Sequence, residues 1–174
     1  MDKIFPVIIT LLAVVILIAF FLPWLSIGSQ RLDVFTKILT GKEGQTMDKV
    51  SAFQIPILAN SEEAKLMITI IQIFNPGIEN ADKKSFLVWG IVVLAGIIAA
   101  LSFFLGKNHW FNLVIAILGI AIFVVTIVKI NTTNLDKLIL LVKVREGLWL
   151  TIYSYLAIGL LSLMRSIQLI RRKA

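Results

Sequence analysis

FLVWGIVVLAGIIAALSFFLGKNHWFNLVIAILGIAIFVVTIVKI, residues 86–130, decides the fold: its only full charges are Lys107 near the middle and Lys129 at the end. On either side of the turn at Gly106 to His109 lies an apolar run of the length, about 20 residues, that a helix needs to cross a hydrocarbon core. So short a connection leaves the two runs no choice but to cross in opposite directions as a tight antiparallel hairpin. Spans are therefore expected at 86–106 and 110–130.

Working outward, 27 uncharged residues separate Lys3 from Arg31, and 18 separate Glu146 from Arg165. They add spans at 4–24 and 147–170, the second carrying Arg165 in its last turns, from which a long side chain can snorkel to the headgroups. Ser26-Ile27-Gly28 would suit a signal-peptide cleavage site, but the run from Ile4 to Trp24 exceeds a signal core and reads as a retained span. Trp24, Trp89, Trp110 and Trp149 each fall near a span end, where an indole settles at the headgroup boundary. With 59% apolar and 16% charged residues in 174, a soluble domain is excluded. A transmembrane β-barrel is excluded too, because its strands would alternate rather than run apolar.

Four spans place both termini and the 106–109 turn on one side, and loops 25–85 and 131–146 on the other. Lys3, Lys107, Arg165, Arg171, Arg172 and Lys173 outnumber Lys129, Lys137, Lys143 and Arg145 across the short segments, which puts both termini in the cytoplasm of a multi-pass cell-membrane protein. The net charge of +7 is spread along the chain, so it suits anionic lipid and not nucleic acid. Lys107, Arg165, Arg171, Arg172 and Lys173 are the expected headgroup contacts. A carboxylate partner is the other role open to Arg165.

The long loop is too apolar for a linker. Asn60 or Ser61 can cap a helix running to Phe74, with Glu62 and Glu63 in its first turn and Asn75-Pro76-Gly77 as its stop. Its wide apolar arc offers Leu66, Met67, Ile70, Ile71 and Phe74 as a partner-binding face. Ser51 to Ile57 alternates as a strand would, with Pro56 at an edge, and Leu138 to Arg145 suggests a second strand to pair with it. Leu32 to Leu39 fits strand or helix, and Gly41 to Gln45 a turn. The expected class is an all-α membrane fold: a four-helix transmembrane bundle with a small extracytoplasmic α+β domain built from the 1–2 and 3–4 loops.

Candidate chemistry is sparse. Cysteine is absent and His109 is the one histidine, so thiol relays and multi-ligand metal or haem sites are excluded and no cofactor is expected. The spans hold no charge before Arg165, and their polar residues, Thr10, Ser102, Asn112, Thr126, Thr151, Tyr153, Ser154, Tyr155 and Ser162, read as hydroxyls and amides bonded to nearby backbone. Asn112 is expected to meet the interface. Small residues at Gly96 and Ala100, Ala116 and Gly119, and Ala157 and Gly159 permit close helix approach, first within the bundle and second between chains of a homo-oligomer. Outside the spans no nucleophile elbow, paired carboxylates or phosphate loop occurs, so the chain does not read as an enzyme. Asn131-Thr132-Thr133 matches a glycosylation sequon.

In layout the chain resembles the claudin-type tetraspans: a long first outer loop, a shorter second one, a tight inner turn and both ends inside. The likeness is one of layout: that family's first outer loop carries a Gly-Leu-Trp and two cysteines, whereas here the one Gly-Leu-Trp, Gly147-Leu148-Trp149, opens span four, Pro23-Trp24 closes span one, and cysteine is absent. The resemblance implies an outer sheet presented to partners. We expect an accessory or assembly subunit that binds other membrane or extracytoplasmic proteins; the alternative is a small oligomeric channel or transporter subunit.

Overall fold

The computed structural model of the protein describes residues 4–27, 49–60, 86–132 and 142–171. In these, helix α1 spans Ile4–Phe21, strand β1 Pro23–Ile27, strand β2 Lys49–Ser51, helix α2 Gln54–Ala59, helix α3 Leu87–Leu105, helix α4 His109–Thr132, strand β3 Val142–Val144 and helix α5 Glu146–Arg171. The four long helices are α1, α3, α4 and α5, each long and apolar enough to cross a membrane. The partner face expected at Leu66, Met67, Ile70, Ile71 and Phe74 lies outside the described residues, as do Leu32 to Leu39, Gly41 to Gln45, Arg172 and Lys173.

Helix α1 starts with Pro6 in its first turn, where a missing N–H removes no helical bond. It ends three residues earlier than its apolar run, because Pro23 and Trp24 turn into a strand. Residues Ile9, Ile16, Ala95, Ile98, Tyr155 and Ile158 form the centre of the bundle core. α5 packs along both α1 and α4, while α3 packs along α1 and reaches α5 through Tyr155. The 106–109 connection is as short as the sequence requires: Asn108 accepts the Trp110 N–H on its Oδ1 at 3.0 Å and so caps α4. Yet its two helices have different neighbours, α3 on α1 and α4 on α5. The expected tight hairpin is tight only in its turn.

Close approach of α4 and α5 depends on glycine. A Cβ at Gly119 would sit 2.6 Å from the Tyr155 carbonyl oxygen, and one at Gly159 would sit 3.2 Å from the Ala116 carbonyl oxygen. The small residues at 116, 119 and 159 are therefore spent inside the bundle. Tyr155 links α5 to α3, donating its hydroxyl to the Ile91 carbonyl.

One end of the bundle carries a three-stranded antiparallel sheet of order β2-β1-β3. Leu25 pairs with Val50 on one side and with Val144 on the other. β1 is thus the central strand, which the sequence does not suggest; it offers strands at Ser51 to Ile57 and Leu138 to Arg145, paired with each other. The register slips between Pro23 and Leu25, a bulge that leaves Trp24 free to turn inward. Trp24 is 4% exposed, and its indole N–H donates to the Ala19 carbonyl at 2.9 Å. It is a packing residue and not the headgroup anchor its position suggested.

A second correction concerns Ser51 to Ile57. Only Lys49–Ser51 is strand, and Gln54–Ala59 is helical. Gln54 Oε1 accepts the Ser51 N–H at 3.0 Å, the backward half of a capping box, and Pro56 falls in the first helical turn. Asn60 closes this helix, both its N–H and its Nδ2 bonding the Pro56 carbonyl. The second expected strand is present, as Val142–Val144.

Candidate functional site

Two surfaces stand out, one at each end of the bundle. The first lies at the end opposite the sheet. α5 has 26 residues against 18 in α1 and 19 in α3, so at 1.5 Å per residue it is about 10 Å longer than either. Its start is level with the sheet, and the excess therefore projects past the 106–109 turn. Ser166 donates to the His109 carbonyl at 3.1 Å, which fixes the depth of this part of α5 at the first residue of α4. Arg165 thus lies where the other helices end and not in mid-span.

Arg165 is 4% exposed, its guanidinium carbon 5.9 Å from the centre of the Phe5 ring. That is within range of a cation–π attraction. Instead of snorkelling into open water, as the sequence suggests, this side chain packs beside Phe5 of α1 on the wall of a cleft. Beside it, Ile4, Phe5, Ile8, Leu161, Met164, Arg165 and Gln168 line a cleft of about 220 Å³ between α1 and α5. The rim is open to the side, with Ile4 and Met164 each 58% exposed. The walls are apolar but for Arg165 and Gln168, on the last turns of α5.

Nearby, Asn112 is fully buried, donating from Nδ2 to the Asn108 carbonyl at 2.7 Å and the Gly106 carbonyl at 3.1 Å. It holds the turn together and does not meet the interface as expected. Lys107 and Arg171, the other described members of the basic set, are exposed.

The second surface is on α3 and the rim below the sheet. Gly96 and Ala100 are exposed, and a Cβ added at Gly96 would meet nothing within 4 Å. This small-residue pair is left out of the bundle, unlike those on α4 and α5. Toward the sheet end of the same helix, Phe53 stacks on Trp89 at 5.9 Å and 6°, with Phe86 edge-on to Trp89 and Phe21 against Phe53. All four rings are at least one-third exposed. The Phe53 N–H donates to the Phe20 carbonyl at 3.3 Å, so this ladder is tied to the end of α1. Sequence reasoning found Trp89 singly but not the ladder, since Phe53 reaches it only through the fold.

Polar groups within the spans are mostly spent on helix backbone: Thr10 on the Pro6 carbonyl, Ser102 on Ala99 and Thr151 on Gly147. Compared with protein-family models, curated proteins and solved structures, the chain matches none.

Proposed function

We propose that the chain is a non-enzymatic accessory or assembly subunit of the cell membrane, with both termini cytoplasmic, that binds other membrane or extracytoplasmic proteins. The observation that carries this reading is the face of α3 that the bundle does not use. Gly96 and Ala100 offer a flat patch of the kind that lets a partner helix approach closely, and the exposed aromatic ladder continues it toward the outer side. Aromatic rings that are large, rigid and half exposed are favoured anchors in protein interfaces.

The test uses the space around Gly96. Gly96→Leu with Ala100→Leu adds bulk only on the unused face, so the full chain should insert and keep its thermal stability. Partners that co-purify after mild detergent extraction of the wild type should be lost. An unchanged set of co-purifying proteins would remove the support for this reading, and conductance of the purified chain in liposomes would favour the channel subunit instead.

A further inference from the structure

We propose that the cleft between α1 and α5 binds one anionic phospholipid, its phosphate on Arg165 and part of an acyl chain along Ile4, Ile8, Leu161 and Met164. This is independent of the partner face on α3. Three observations converge on an amphiphile. The cleft is walled almost wholly by five apolar residues, and Arg165 and Gln168, its two polar lining residues, sit on the last turns of α5. Its depth is right: Ser166 is level with the first residue of α4, and a Cβ at Gly106 would lie 3.5 Å from the Phe5 ring, so Arg165 lies at the plane where three helices end. That plane is where a bilayer presents its phosphates. Finally, the opening is lateral, between exposed Ile4 and Met164, which is the direction from which a lipid enters.

The guanidinium is well matched to this task. It carries five N–H donors in a fixed fork, enough to hold contacts within the protein and still engage phosphate oxygens in a bidentate manner. Phe5 fixes its position from one side, so little side-chain freedom remains to be lost on binding. Low exposure strengthens each charge-assisted bond, because water cannot compete for it. Lys107 and Arg171, exposed at the same end, raise the local preference for a net negative headgroup over a zwitterionic one.

The full-length chain, purified in a mild non-ionic detergent, would be titrated with phosphatidylglycerol, phosphatidylcholine or inorganic phosphate while its melting temperature is followed. Phosphatidylglycerol should raise the melting temperature saturably, phosphatidylcholine should need a higher concentration, and inorganic phosphate should do nothing. Arg165→Gln should weaken phosphatidylglycerol binding roughly tenfold or more, as expected for the loss of a charged hydrogen-bonding partner. Arg165→Lys should lose part of the effect, since an ammonium keeps the charge but not the fork. Ile8→Trp fills the cleft without touching the guanidinium and should abolish saturable binding in a chain that still folds. Equal responses to the two lipids, a shift produced by inorganic phosphate alone, or an Ile8→Trp variant that binds as the wild type does would each overturn the proposal. If Arg165→Gln fails to fold, the Ile8→Trp arm decides.

Discussion

Tyr155 and Gly147 show how much of this fold rests on single side chains. The Tyr155 hydroxyl donates to the Ile91 carbonyl of α3, which lies within an unbroken helix. Tyr155→Phe removes this one bond between helices, so its cost should stay below about 1 kcal/mol. Tyr155→Ala instead leaves a ring-sized hole in the core and should cost about 3–5 kcal/mol. Reversible unfolding in mixed micelles would measure both. Gly147 behaves oppositely, since even one carbon is too much there. A Cβ would stand 2.6 Å from Trp24 Cδ1, 2.8 Å from the Pro23 oxygen and 2.9 Å from the Ala19 oxygen. Gly147→Ala should destabilise by about 1–3 kcal/mol, while Gly90→Ala, with nothing within 4 Å, should be neutral or slightly stabilising in the same assay. In the sequence, Gly147-Leu148-Trp149 and Pro23-Trp24 stand at the two span ends nearest the outer loops, far apart in the chain. In the fold they touch, which the sequence could not say.

At the scale of elements, the four spans were legible because lipid imposes a length and a composition that few other constraints override. Their ends were less so. Helix α1 stops at Phe21 although the apolar run continues, because a proline and a bulged tryptophan serve the sheet better than another helical turn. β1 was missed for the same reason: Pro23-Trp24-Leu25-Ser26-Ile27 looks like the tail of a span, and only its two partners reveal it as a strand. The stretch from Ser51 to Ile57 carried a usable signal that was misweighed. Ser51 followed three residues later by Gln54 is a capping signature, and it outranks the alternation that suggested a strand. As for the candidate sites, Arg165 was picked out by its charge alone. The cleft beside it needed the offset of α1 against α5, and the freedom of Gly96 needed the knowledge that α3 packs elsewhere. Neither quantity is written in a periodicity.

The molecule as a whole has a sheet end and a turn end, and the proposed orientation sends the sheet outward. Cysteines introduced singly at Lys49 and Lys173 should report it. In sealed cells an impermeant maleimide should label Lys49→Cys and spare Lys173→Cys until the membrane is opened. The reverse pattern would invert the topology and move the proposed partner surface to the cytoplasm. The packing order also has a consequence in time. α1 and β1 precede α5 in the chain, yet among the described elements α4 packs most extensively on α5, and β1 takes β3 as its second edge partner. Until residue 142 emerges, the nascent chain therefore lacks the main neighbour of α4 and one of the two partners of β1. The Arg145 N–H donates to the Trp24 carbonyl at 2.8 Å, joining two residues far apart in the chain. A chain without α5 would therefore leave α4 without its largest packing surface and β1 with one edge exposed, both liable to unwanted association.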